Sequence, residues 1–277
     1  MHNPFTLLAY AVVLVSVGLA CGTINTLASS GSAISLPVLL MLGLSPLDAN
    51  ATNRLSVLLG SVMALYTFYT KAEVNWRAGL EMAIPATLGG VAGVVAAETL
   101  PRRDMGLVIT AAVLVAFLLL FTKLRSTIER PSDRVASISK AGLAALVAVG
   151  FWLGFIVLDG GTYLLLVLVL MFGFDLVHAN ALKNLLLVAT SLLPVAIFTV
   201  AGHIRWMEGV LMSAGSIAGG YVGARLTMHE RAKYWVFRIL VTVLLLEIIH
   251  LVIQYGAPYI HSERLHSLPA IHDHRSS

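Results

Sequence analysis

The sequence predicts an all-α polytopic membrane protein made of two homologous halves, and three observations carry that prediction. The first is composition: of 277 residues, 58% are hydrophobic and only 12% charged, with a mean hydropathy of +0.89. An ordinary soluble domain carries roughly 25% charged residues, so this chain has too little polar surface to face water. The second is run length. Apolar segments recur that are long enough to cross a hydrocarbon core of roughly 30 Å at about 1.5 Å per helical residue. The third is repetition. The stretch SSGSAISLPVLLMLGLSPLDANATNRL at 29–55 returns as DGGTYLLLVLVLMFGFDLVHANALKNL at 159–185. Without a gap, Gly31 falls on Gly161, Met41 on Met171, Gly43 on Gly173, and Ala49-Asn50-Ala51 on Ala179-Asn180-Ala181. At the same spacing of 130 positions, Trp76 falls on Trp206, Gly89-Gly90 on Gly219-Gly220, and Gly93 on Gly223. A period of about half the chain means two copies of one unit.

Each element follows from its residues. The run at 5–27 is long enough to span, and its second half turns polar through Gly22, Thr23, Asn25 and Thr26 into Ser29-Ser30-Gly31-Ser32. Polar, glycine-rich backbone at membrane depth is tolerated only where it lines a cavity or is buried in protein. The apolar piece at 33–44 is short and holds Pro37, which suits a half-helix or re-entrant arm. Pro46 and Asp48 then suit the start of a new helix over 49–69. A span over 78–97 carries Gly89 and Gly93, a small-xxx-small pattern that lets helices approach closely. A strongly apolar span at 105–122 closes the first half.

The second half repeats the plan with a span at 141–158, a break at Asp159-Gly160-Gly161-Thr162, an arm at 163–172, a helix at 179–200, and spans at 209–227 and 234–255. The domains are thus a first membrane repeat at 1–122, a hydrophilic linker at 123–140, a second repeat at 141–255 and a polar tail at 256–277. The linker has the densest positive charge and is expected in the cytoplasm. The halves are in opposite orientation if span and arm together cross twice, and parallel if they cross once. Counting loop Lys and Arg places the excess on the linker side in both cases. The inverted arrangement is preferred on the general behaviour of transporters with broken helices.

Composition also excludes. A formal net charge of +4, clustered in loops, fits membrane topology and gives no case for nucleic acid. The single cysteine, Cys21, forbids an intrachain disulfide and reads as a small buried hydrophobe. His261, His266, His272 and His274 in the tail fit no defined metal spacing. There is no cleaved-leader pattern, nucleophile–base motif, HExxH, P-loop or nucleotide fingerprint, so no cofactor is expected and the chain is not read as an enzyme. Trp76 and Trp206 suit interfacial anchors.

The chemistry concentrates at the breaks. Two broken helices facing each other would leave a polar pocket near the midplane, with helix ends exposing unpaired N–H groups that suit an anion. The breaks offer Ser29, Ser30, Gly31, Gly160, Gly161 and Thr162. The following helices add Asn50, Asn53 and Arg54 in one copy and Asn180, Lys183 and Asn184 in the other, the cation having moved by one position. Arg54 and Lys183 either serve an anion site, since intramembrane charge is costly, or sit near the interface and snorkel to headgroups or play a structural role. Asn50 and Asn180 either line the site or hold helices together. Asp159, whose counterpart is Ser29, either takes up a proton and couples anion movement to it, or caps the following arm.

This pattern resembles the sulfite exporter TauE/SafE family of membrane permeases. The residues that carry the resemblance are Gly31, Pro37, Gly43, Ala49-Asn50-Ala51-Thr52-Asn53, and in the second copy Gly160-Gly161, Gly173, Ala179-Asn180-Ala181 and Lys183-Asn184, within a match that covers 5–255. The resemblance implies a multi-pass transporter of the cell's inner (plasma) membrane that exports a small sulfur-containing anion such as sulfite or an organosulfonate. A homodimer is compatible with it. Two other classes are weighed against this: a non-transporting membrane partner or sensor, and an intramembrane enzyme using Asp159 with His178 or Cys21.

Overall fold

The computed structural model describes residues 4–71, 74–99, 139–156 and 160–229. Asp159, most of the linker, the spans expected at 105–122 and 234–255, and the tail lie outside the described residues. Among those described, the structure is all-helical, with eight helices: α1 (Pro4–Ala28), α2 (Ser32–Met41), α3 (Pro46–Lys71), α4 (Trp76–Thr99), α5 (Lys140–Phe155), α6 (Gly160–Leu170), α7 (Leu176–Val200) and α8 (Trp206–Thr227).

Local chemistry sets the ends. The Ser45 hydroxyl accepts from the Asp48 amide at 3.1 Å, with Pro46 opening α3, a position where its missing N–H costs nothing. Asp175 caps α7 by accepting from the amides of Val177 and His178 at 2.9 and 3.2 Å. The Ser139 hydroxyl accepts from the Gly142 amide and starts α5. Pro37 lies inside α2, the short arm expected from the sequence. One expectation is corrected. Gly160, Gly161 and Thr162 form the first turn of α6 rather than an irregular break, which confines the break to the residues before them.

The repeated glycines Gly43 and Gly173 end the two short arms. Both are left-handed, with φ of 88° and 78°, the conformation that closes a helix and that only glycine adopts without strain. A Cβ at Gly43 would meet nothing within 4 Å. Gly43→Ala is therefore expected to cost about 1 kcal/mol through backbone strain alone, with Gly43→Asn milder, read as a drop in melting temperature in detergent micelles.

Three described helices have the length and apolar composition to cross a membrane: Thr6–Ala28 of α1, α4 and α7. With 26 and 22 residues, α3 and α8 reach roughly 39 and 33 Å, but they carry their polar groups inward. The structure is apolar outside and polar within. On α4, Leu80, Ile84 and Leu88 form an exposed stripe at four-residue spacing, while Asn25, Ser35, Asn53, Arg54, Lys183 and Asn184 are buried. That distribution suits a hydrocarbon solvent.

Packing crosses between the halves. α1 lies along α8 and α5 along α4; α3 packs on α8 and α7 on α4; α3 and α7 meet each other. Glycine lets these backbones touch. A Cβ on Gly22 would collide with the Ser216 carbonyl, one on Gly219 with the Leu19 carbonyl, one on Gly89 with the Val147 carbonyl, and one on Gly93 with the Phe151 carbonyl. The small-xxx-small pairs are thus packing surfaces, as the sequence suggested. α3 and α7 run antiparallel. His203, just beyond α7, bonds Asp48 in the first turn of α3, and Phe68 near the end of α3 clusters with Val177 and Ala181 at the start of α7.

Candidate functional site: the junction of two broken helices

The break after α1 and the first turn of α6 meet inside the protein. A Cβ on Gly161 would stand 3.0 Å from the Ser29 Cβ and 3.3 Å from the Ser29 carbonyl oxygen. Ser30 Oγ and Thr162 Oγ1 are 3.3 Å apart. Both hydroxyls donate to the Ala28 carbonyl, at 3.3 and 3.4 Å, so the last carbonyl of α1 is satisfied by side chains from both breaks. Ser29 reverses the chain with φ 68°, the one positive value at a non-glycine residue among those described. Its hydroxyl is buried and has no partner there. A β-hydroxyl residue held in the left-handed region is strained, and the buried donor adds a desolvation cost.

Two helices start at this junction. α2 begins at Ser32 after Gly31, and α6 at Gly160. In α2 the amides of Ala33 and Ile34 already donate to the Ser30 and Gly31 carbonyls, both at 3.1 Å, so what the helix starts bring to the junction is chiefly the partial positive charge of their dipoles.

The two buried cations bind the other kind of helix end. Arg54 donates from Nη1 to the Leu153 carbonyl and from Nη2 to the Gly154 carbonyl, both at 2.7 Å, at the C-terminus of α5. Lys183 donates to the carbonyls of Asn25 and Thr26, at 2.8 and 3.0 Å, at the C-terminus of α1. Leu153 follows Asn25 by 128 positions, and Gly154 follows Thr26 by the same 128. At the repeat's spacing of 130 the counterparts of Leu153 and Gly154 are Thr23 and Ile24, so each cation caps the broken helix of the opposite half close to, but not at, the corresponding carbonyls. The snorkelling alternative is corrected: Arg54 is 1% exposed and Lys183 0%, so neither reaches headgroups. Cations at helix C-termini add donors to the last carbonyls and oppose the dipole's negative end; the Asn25 carbonyl also accepts from the Ser29 amide at 2.9 Å. Arg54 Nε is buried without a partner among the described residues, while the Phe198 ring lies 5.3 Å from its guanidinium carbon.

The amides divide in role. Asn53 Nδ2 donates to Ser32 Oγ at 3.0 Å and its Oδ1 accepts from Ser35 Oγ at 2.6 Å, which ties α3 to the arm α2. Asn180 Oδ1 accepts from Lys183 Nζ at 2.8 Å and so orients the cation. Asn184 Nδ2 donates back to the Asn180 carbonyl, and its Oδ1 is buried without a partner among the described residues. Asn50 is buried on the first turns of α3.

Ser29, Ser30, Gly161 and Thr162 are therefore brought together, with Gly31 and Gly160 beside them at the starts of α2 and α6. Arg54, Lys183, Asn53 and Asn180 are held by their own partners in the shell around that junction. Ser32 belongs to the polar break read from sequence, whereas Ser35 was not singled out; its spacing of three from Ser32 on a short helix, which puts both hydroxyls on one face, was the available signal. Trp76 and Trp206 open α4 and α8 and are exposed at 39% and 53%, positions that suit their expected place at an interface.

Comparison with known proteins agrees with this architecture. The family model described as "Sulfite exporter TauE/SafE" matches residues 14–251. The chain is 28% identical to the Sinorhizobium sp "Probable membrane transporter protein ORF9" over 229 residues, covering 83% of this chain and 86% of that one. It is 30% identical over 219 residues to a "Probable membrane transporter protein" of Haemophilus influenzae, covering 79% and 85%. It is 21% identical over 246 residues to "Probable membrane transporter protein YunE" of Bacillus subtilis, covering 80% and 90%. No solved structure matches. These relatives are named as transporters, and none as an enzyme. The chain belongs to the sulfite exporter TauE/SafE family of membrane transporters.

Proposed function

We propose that the protein is a secondary transporter of a small anion of the sulfite or organosulfonate class, an exporter by family resemblance, residing as a multi-pass protein in the inner membrane. The anion binds where the two broken helices meet, against Ser29, Ser30 and Gly31 on one side and Gly160, Gly161 and Thr162 on the other. The observation that carries this is the buried junction itself. Two helix N-termini begin beside an unpartnered, strained Ser29, while the C-terminal ends that would repel an anion are neutralised by Arg54 and Lys183. Such an arrangement offers N–H and O–H donors to negative charge with little reorganisation. Arg54 and Lys183 then support the site by charge and by holding the breaks in place, with Asn50, Asn53, Asn180 and Asn184 fixing the helices that carry them.

The same proposal includes an inverted duplication. Its support is the antiparallel run of α3 and α7, the matching glycines Gly43 and Gly173, and the reciprocal capping of one half's broken helix by the other half's cation. Inverted repeats about a central site are how many transporters alternate access. Coupling to a proton through Asp159 is kept within the proposal, since a carboxyl directly before α6 would adjoin the junction.

The test is flux in reconstituted vesicles with sulfite, sulfonates, sulfate and carboxylates, with and without a pH gradient. Sulfite or a sulfonate is expected to move, and Gly161→Val to abolish movement by filling the space against Ser29 while the protein still purifies as a folded species. If no anion moves, or if Gly161→Val transports as well as the wild type, the proposal fails.

A further inference from the structure

We infer that Asp48, His203 and Glu98 form a proton-binding site that fastens one end of the helix bundle, away from the junction. His203 lies in the turn between α7 and α8. Its Nδ1 is 2.9 Å from Asp48 Oδ1 in the first turn of α3, and its Nε2 is 4.0 Å from Glu98 Oε2 at the end of α4. The three side chains are 29%, 22% and 32% exposed respectively, so water reaches them while the protein still holds them in place. Arg205 N, two residues on, donates to Thr52 Oγ1 at 3.0 Å and fixes the same turn onto α3.

The chemistry of imidazole between two carboxylates decides what this corner does. A neutral ring has one N–H and can donate to one carboxylate, so its other nitrogen turns a lone pair toward the second. The imidazolium donates at both nitrogens and attracts both carboxylates. Uptake of one proton from water thus converts a contact between two elements into a bridge among three: α3, α4 and the α7–α8 turn. Histidine is the side chain that makes this change between about pH 5 and pH 8. Other groups facing His203 are few. α7 contributes the Phe198 ring at 6.3 Å, edge-on. On its own turn Arg205 is exposed, and Glu208 in the first turn of α8 is engaged by the Tyr10 hydroxyl. Arg102, Arg103 and Asp104 follow α4 in sequence and lie outside the described residues.

The corresponding corner at the other end of α3 is built differently. Phe68, Val74 and Val177 cluster there as Phe198, Ile204 and Leu47 do here. The position of Glu98, however, is taken by Met228, and that of Asp48 by His178, which pairs with Asp175 on its own helix. Among the described residues, one end of the bundle therefore has an ionisable clasp across three elements, while the ionisable pair at the other, His178 with Asp175, stays at the start of α7; Glu73, which the repeat sets opposite His203, lies outside the described residues. Proton uptake by the ring closes this end of the bundle, and its loss releases it. That this gates transport rests on the transport proposal, whereas the closing itself does not.

The experiment measures the separation between spin labels at Thr99→Cys and Ala201→Cys in a Cys21→Ala background, in the full chain in lipid nanodiscs. The expected result is an outward shift of roughly 2 Å or more between about pH 5.5 and about pH 8, the scale of helix shifts at switching interfaces. His203→Gln and Glu98→Gln should each abolish it. Glu98→Gln guards against a folding defect in the first variant, and both are checked for a monodisperse profile. A wild-type separation that does not respond to pH, or a response retained in either variant, overturns the proposal. If the shift is present and no anion moves in the vesicle assay, the proton site stands and the transport proposal falls. If anions move and the shift is absent, the reverse holds.

Discussion

Replacing Arg54 by alanine is expected to destabilise the protein by on the order of 3–5 kcal/mol, since it removes two charge-assisted hydrogen bonds worth about 1.5–3 kcal/mol each. It strands the Leu153 and Gly154 carbonyls at the buried end of α5, with no other described side chain bonded to them. Arg54→Lys should recover part of the loss, because one ammonium cannot reproduce the two-pronged geometry of a guanidinium. Lys183→Met should cost a comparable amount: the Thr26 carbonyl at the end of α1 and Asn180 Oδ1 on α7 lose the ammonium, and the Asn25 carbonyl keeps only the Ser29 amide. Melting in detergent micelles, followed by intrinsic fluorescence, checks all three. Because each cation holds the opposite half's break, either loss should also reduce anion flux in vesicles even at temperatures where the protein stays folded. A wild-type melting temperature in Arg54→Ala would show that the caps contribute nothing.

The second large effect separates two adjacent glycines. Gly89→Ala places its Cβ against the Val147 carbonyl, which is backbone of α5 and cannot swing aside. The helices must part, at a cost of about 2–3 kcal/mol, the upper range for overpacking. Gly90→Ala meets only ordinary contacts, the Gly150 and Thr190 carbonyl oxygens at 3.6 Å. It should be neutral, or stabilising by up to about 1 kcal/mol through helix propensity. Parallel melting curves of the two variants decide the matter. Equal effects at both positions would remove the close α4–α5 contact from the account of stability.

What could be read from sequence was local. Pro46 and Asp48 marked the start of α3 in residue order alone, because such residues act within one turn of their own helix; the caps Ser45 and Asp175 are equally local but were not read. Gly43 and Gly173 answer a backbone need that any sequence ending a short arm must meet. The polar breaks were equally plain, because hydrocarbon tolerates few such stretches. The partners of the cations were not legible. Arg54 bonds carbonyls about a hundred positions away, and a carbonyl leaves no mark in the side-chain pattern. Sequence alignment even set Arg54 beside Asn184 and Lys183 beside Asn53. A one-position shift on a helix turns a side chain by roughly 100°, and long flexible side chains absorb that turn to reach carbonyls close to the corresponding ones. The His203 corner was hidden for the same reason: Asp48, Glu98 and His203 come from three separated segments.

The opening stretch and its copy determined the class of the protein and the existence of two polar breaks in an apolar chain, because burial of backbone polarity in a membrane is a rule that composition alone can express. The tertiary structure decided what the breaks are for each other. It brought Ser29 against Gly161, sent each cation across to a helix end of the other half, and left the Ser29 hydroxyl buried without a partner among the described residues. Those outcomes depend on how antiparallel helices pass one another at glycine contacts, a non-local packing result that the order of residues does not contain.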